Sequence, residues 1–229
     1  MRVVLLHSAA GDSRLWRHQA EALRGTFDVV APDLPGYGRT PMPREEFSFV
    51  DTVVPLLPGA LVGNSFGGMV ALRTACAHPE LVEKLALVAP GLPGWDFSEE
   101  MRDYWARENA AIEAGDLDAA AEVTVDFWVL PEHQDEVRPQ QRRALELQTA
   151  YEEPPLRWPE QFEPAELQMP VLIVVGSEDK ADFRMIAQHL AEVIRHAQLV
   201  IVEGAGHLVG IDRPDALNGV LLEFLSAAS

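Results

Sequence analysis

The sequence predicts an α/β fold: a mostly parallel six-stranded sheet with helices on both faces and an α-helical lid over it. Three observations carry this. Six short runs rich in Val and Leu have the continuous apolar character of strands buried on both faces. Stretches with helical periodicity separate most of them, and strand alternating with helix implies parallel pairing. One long interval holds no convincing strand and reads as a helical insertion.

In chain order, residues 2–6 form the first strand, and 15–24 place apolar residues at helical spacing. Strands follow at 28–31 and 60–62, the latter running through a Gly-rich turn into an Ala-rich helix over 68–77 that stops before Pro79. Residues 85–89 are the fourth strand. Helices are then expected over 98–114, 117–129 and 135–149, broken at Gly115 and Pro131, with a loose exit marked by Pro154, Pro155, Pro159 and Pro164. Strands at 171–175 and 199–202 and helices at 183–195 and 214–225 complete the chain. The expected organisation is a core over 1–90 and 169–229 and a lid over 91–168.

Composition narrows the function classes. The chain has 229 residues, 48% of them hydrophobic, enough to bury a substantial core. Its 36 acids against 18 bases give a formal charge of −18, which argues against nucleic acid and anionic membranes as partners. The excess is uneven: residues 95–168 hold 19 acids and 6 bases. Cys76 is the only cysteine, so an internal disulfide is excluded and a cytoplasmic setting is expected. The opening apolar run is too short for a signal peptide or membrane helix. No cofactor or metal site is expected, because no histidines are spaced as a metal pair. A homodimer is compatible with the sequence.

The third strand ends in Gly63-Asn64-Ser65-Phe66-Gly67-Gly68 and enters a helix. Gly-x-Ser-x-Gly between strand and helix is the context in which a serine on a strained turn becomes a nucleophile, with glycines where side chains would clash. A phosphate loop would need a lysine after the second glycine, and Met69 follows Gly68. A dinucleotide fingerprint would place glycine at Ser65. A Gly-rich turn with an incidental serine remains open on this motif alone.

Two further residues lie at C-terminal strand ends, where open parallel sheets place their sites. Asp179 follows the fifth strand in Gly176-Ser177-Glu178-Asp179, and His207 follows the sixth in Glu203-Gly204-Ala205-Gly206-His207. The carboxylate would orient the imidazole, which would take the Ser65 proton. Asp179 can equally be a helix N-cap, Glu178 and Asp182 are rival carboxylates, and His207 can be a loop histidine packed on an aromatic ring. The small residues of His7-Ser8-Ala9-Ala10-Gly11 allow a tight turn after the first strand. The N–H groups of Ala9 and Phe66 are assigned as an oxyanion hole facing a crevice between strands one and three.

With these motifs in place, the sequence resembles the α/β-hydrolase superfamily over 1–90 and 169–229. The resemblance rests on residues 7–11 with Trp16, on Asp33-Leu34-Pro35-Gly36-Tyr37-Gly38-Arg39-Thr40, on the Ser65 turn, on Gly176–Asp179, and on Gly206-His207 with Pro214 and the final helix. It implies Ser65 as nucleophile, Asp179 as acid, His207 as base, and Ala9 and Phe66 as oxyanion donors. It also implies a core lacking the family's first two strands, Ser8 where glycine is usual, and a shortened helix between Phe47 and Gly59.

Of 17 aromatic residues, nine fall in 95–168, which suggests an apolar pocket under the lid as well as simple packing. Ser8, Asn64, Trp105 and Trp128 are the expected substrate contacts. The expected function is hydrolysis of a small, apolar or aromatic carboxylic ester through an acyl-enzyme. The alternatives are a hydrolase of carbon–carbon bonds in ring-fission products, an enol-lactone hydrolase and, in another class, a non-catalytic binding protein. The first two act on anions and would want an arginine in the pocket; Arg102, Arg107, Arg138, Arg142, Arg143 and Arg157 are available.

Overall fold

The computed structural model describes residues 1–150 and 156–227. Six parallel strands, β1 (Arg2–Leu6), β2 (Asp28–Val30), β3 (Gly59–Asn64), β4 (Val82–Val88), β5 (Val171–Gly176) and β6 (Ala197–Val202), lie in the order β2-β1-β3-β4-β5-β6. The chain direction of winding reverses between β1 and β3, so a crevice opens where those strands end. In register, Leu6 lies beside Gly63 and Asn64 beside Val88, which places the turns after β1, β3 and β4 at one edge of the sheet.

Both faces of the sheet are covered. Successive side chains of a strand point to opposite faces. Val4 and Leu6 accordingly join Leu61, Leu85 and Ile173 in one buried layer under α2 (Phe49–Val53), α3 (Phe66–Ala77) and α7 (Ala181–Val193). Val3 and Leu5 join Val62, Ala86 and Leu172 in the other, under α1 (Arg17–Leu23) and α9 (Pro214–Ser226). Every residue of β3 and β5 is buried, whereas β2 and β6 are half-exposed edge strands. The expectation of strands buried on both faces therefore holds for the centre of the sheet and not for its edges.

Between β4 and β5 come α4 (Glu99–Glu113), α5 (Leu117–Trp128) and α6 (Gln134–Thr149). Ser98 caps α4 by accepting from Met101 N–H, and Asp116 caps α5 by accepting from Ala119 N–H. Gly115 turns between them at φ 74°. Pro159 and Pro164 follow α6 in irregular and 3₁₀ segments; Pro154 and Pro155 lie outside the described residues. The short α2 fits the reduced span between Phe47 and Gly59, and α8 (Val209–Asp212) is a single turn that the periodicity did not indicate.

One buried cation was not legible in the sequence. Lys84, in β4, donates through Nζ to the carbonyls of Phe224, Leu225 and Ala227 at 2.9, 3.2 and 2.6 Å. It satisfies the orphan carbonyls at the end of α9 and opposes the negative end of the helix dipole.

Candidate active site

Ser65 sits between β3 and α3 with φ 55° and ψ −114°, a conformation L-residues rarely adopt. The turn closes because two flanking positions lack side chains. A Cβ on Gly63 would overlap the backbone of Gly67, and one on Gly67 would overlap the carbonyls of Leu6 and His7. Ser65 N–H donates to Val88 O at 2.9 Å, and Ser65 O accepts from Met69 N–H and Gly91 N–H. The serine is thus fixed by backbone on three sides. Phe66 N–H opens α3, where the first donors of a helix have no partner in it.

Asp179 follows β5 and His207 follows β6. His207 Nδ1 lies 3.0 and 3.1 Å from the two Asp179 oxygens, and both residues are buried. An ionised carboxylate only accepts, so Nδ1 carries the proton and Nε2 presents its lone pair. Nε2 is buried and has no hydrogen-bond partner among the described residues. Trp128 packs on the imidazole at 4.2 Å between ring centroids, and Phe183 meets it edge-on at 4.4 Å, so two aromatic rings hold it. The rival carboxylates are accounted for. Glu178 is exposed, and Asp182 accepts from Ser98 N–H, Ser98 Oγ–H and Trp95 Nε1–H, tying the start of α4 to α7. Lys180, and not Asp179, stands at the N-cap of α7.

The loop after β1 is held by His7. Its Nε2 accepts from Leu34 N–H at 2.9 Å, which fixes the proton on Nδ1, and Nδ1 donates to Ser8 O at 2.9 Å. Burial lowers the His7 pKa, favouring the neutral ring that this pattern requires. His7 O accepts from Gly67 N–H at 3.1 Å, joining the loop to the Ser65 turn. Ser8 Oγ accepts from Ala10 N–H at 3.2 Å, so the serine standing where glycine is usual shapes the turn through its hydroxyl.

A cavity of about 550 Å³ lies between the sheet edge and α4–α6. Ser8, Ala9, Ser65, Phe66, His207, Trp105 and Trp128 all line it, which brings together nearly every residue singled out in the sequence. Asp179 does not line it and reaches it through His207, and among the expected substrate contacts Asn64 is the exception. Its amide is directed away from the cavity and donates to Val88 O at 3.0 Å and His207 O at 3.2 Å. Asn64 therefore fastens the His207 loop to β4, and the expected substrate contact is corrected to a structural one. Tyr37, which packs edge-on against His7 at 4.9 Å, also lines the cavity and was not singled out.

None of the six candidate arginines lines the cavity, and five are engaged elsewhere. Arg138 pairs with Glu122 and Asp135, Arg142 with Asp118 and Glu146, Arg143 with Glu146, and Arg157 with Asp51. Arg102 is near Asp96 at 3.6 Å. Among the described residues lining the cavity, Glu108 is the one carboxylate.

A second buried carboxylate supports the His207 loop. Asp212 Oδ2 accepts from Gly206 N–H at 2.9 Å, and Oδ1 lies 3.8 Å from His133 Nε2. Burial raises the Asp212 pKa to about 6. The folded state thus holds this proton more tightly than the unfolded chain does. The resulting stability is present below pH 3.8 and is lost as pH rises to about 6. Asp212→Asn keeps an acceptor for Gly206 and removes the titration. From near pH 4 to near pH 7, urea denaturation should show the wild type losing up to about 3 kcal/mol relative to this variant. A pH-independent difference contradicts the account.

Comparison with known proteins agrees with this fold. The profile of the alpha/beta hydrolase family matches residues 3–220. The chain is 26% identical over 259 residues to protein ABHD8 of Mus musculus, covering 96% of this chain and 54% of that protein. It is 35% identical over 131 residues to the pimeloyl-[acyl-carrier protein] methyl ester esterase of Chromobacterium violaceum, covering 56% of this chain and 51% of the esterase. The matched spans are thus about half the length of these two relatives. Carboxylesterase CesB of Bacillus subtilis superposes with a TM-score of 0.78 at 21% identity, covering 100% of this chain and 84% of CesB. Among the described residues, no helix is long and apolar enough to cross a membrane. With the family profile spanning nearly all of a chain whose sheet order and strand-to-helix turn fit it, the protein belongs to the alpha/beta hydrolase family.

Proposed function

We propose that the protein is a serine hydrolase cleaving a small carboxylic ester through an acyl-enzyme. The observation that carries this is the buried Asp179–His207 hydrogen bond beside Ser65, the imidazole and the serine lining one cavity. The similarity to a methyl ester esterase supports the same reading.

Ser65 Oγ attacks the ester carbonyl carbon while His207 Nε2 takes its proton. The carbonyl oxygen becomes an oxyanion and accepts from the N–H groups of Phe66 and Ala9; losing either donor costs about 3 kcal/mol in the transition state. The intermediate collapses, the carbon–oxygen bond to the alcohol breaks, and the proton on Nε2 leaves with the alcohol. Water then adds to the acyl carbon, giving a proton to Nε2, and the acid departs as the proton returns to Ser65 Oγ. Asp179 stabilises the imidazolium in both halves.

Helices α4–α6 act as the lid and supply the apolar walls for the ester, Trp105 and Trp128 among them. Trp128 has a second role, since it also packs on His207 and so links lid position to imidazole orientation. The pairing of most candidate arginines with carboxylates outside the cavity favours a neutral or cationic ester over anionic ring-fission products and enol-lactones. A fluorophosphonate should label the protein one-to-one and abolish hydrolysis of p-nitrophenyl butyrate in proportion. A folded protein that takes no label and cleaves no ester would instead be a binding member of the family.

A further inference from the structure

The cavity has a polar end that the ester chemistry does not use. Three helices meet there. Thr124 of α5 donates from Oγ1 to Glu108 of α4, and accepts from Tyr104 Oη–H at 3.3 Å and from Gln141 Nε2 of α6 at 3.4 Å. These bonds leave one amide N–H of Gln141 and several acceptors over. Gln141 is 5% exposed, lines the cavity, and its Oε1 has no partner among the described residues. A buried amide oxygen without a donor is unfavourable by about 1–3 kcal/mol, so it marks a place for one. Glu108 supplies the negative charge, and burial next to it holds the Tyr104 phenol in its neutral, donating form. The aromatic residues Tyr104, Trp105 and Trp128 line the same cavity, and aromatic rings attract cations. Trp105 and Asn109 also reach solvent, so the polar end lies near a mouth of the cavity. In the sequence, residues 95–168 carry 19 acids against 6 bases, an excess of the sign that attracts cations.

We infer that the substrate carries a protonated amine, which donates to Gln141 Oε1 with its charge against Glu108 while its ester carbonyl lies at Ser65. This rests on the serine-hydrolase reading and narrows its substrate class to amino esters. The anionic alternatives would bring a carboxylate against Glu108.

Three butyrate esters of matched shape test it: 2-(dimethylamino)ethyl butyrate, which is cationic near neutral pH, its uncharged isostere 3-methylbutyl butyrate, and the anion 3-(butyryloxy)propanoate. By pH-stat, kcat/KM should be about tenfold higher for the cation than for its isostere, and lowest for the anion. Glu108→Gln keeps the acceptor for Thr124 and should reduce the cation-to-isostere ratio by about tenfold. A ratio near one in the wild type, or one that Glu108→Gln leaves unchanged, overturns the inference while leaving the esterase intact. Binding supplies the separate arm. Hexylammonium should quench the cavity tryptophans at lower concentration than hexanol, and Glu108→Gln should abolish the difference. If no ester is cleaved but that difference is seen, the site stands and the esterase reading falls. Equal binding of amine and alcohol overturns the site.

Discussion

Ser65→Ala is expected to lower kcat for p-nitrophenyl butyrate by about four orders of magnitude or more, with the unfolding midpoint unchanged. The two expectations separate because of how the turn is built. Ser65 is held by its backbone, through bonds to Val88, Met69 and Gly91, and its hydroxyl takes part in none of them. Alanine keeps the Cβ and the same strained φ of 55°, so the turn has no new reason to relax. Only the nucleophile is removed. Near wild-type turnover in this variant rules out Ser65 as the attacking group.

Asp179→Asn should lower kcat/KM by about three to four orders of magnitude, for a reason specific to this loop. Lys180 N–H donates to Asp179 Oδ1 at 2.7 Å, so in the variant the amide oxygen is held at that position. The amide nitrogen then occupies the place of Oδ2, 3.1 Å from His207 Nδ1, and donates to it. The imidazole is forced to carry its proton on Nε2 and can no longer accept from Ser65. Packing by Trp128 and Phe183 keeps the ring in place, so the loss is one of tautomer and not of structure. Steady-state kinetics beside a thermal melt reads both. A decrease of less than tenfold shows that Asp179 does not set the tautomer.

Much of this arrangement was legible in the sequence, because its signals are local. A central strand buried on both faces must be apolar, as residues 60–62 and 171–175 are. A strand that turns sharply into a helix must use glycine where backbones touch, as at Gly63 and Gly67. The sheet order then brings the ends of β3, β5 and β6 to one edge without further information. What escaped the sequence depends on partners distant along the chain. Asn64 looks like a site residue by position, and only its bond to the carbonyl of His207, 143 residues away, shows it to be a fastening. Lys84 follows Glu83 at the start of β4 and shows no partner until the end of α9 arrives to take it. Asp212 and His7 lie beside the motifs, yet their roles come from Gly206 and Leu34 backbone groups that no periodicity reveals. Glu108 was one of 19 acids in its segment and became distinct only when three helices closed around Thr124.

The acyl-enzyme itself is the most direct object to measure. Mixing the protein with p-nitrophenyl butyrate, quenching in acid within the first turnovers and digesting for mass spectrometry should find one butyryl group on the peptide containing Ser65. The same treatment of Ser65→Ala should find none. A butyryl group on another residue, or continuing ester turnover with Ser65 never acylated, contradicts the account.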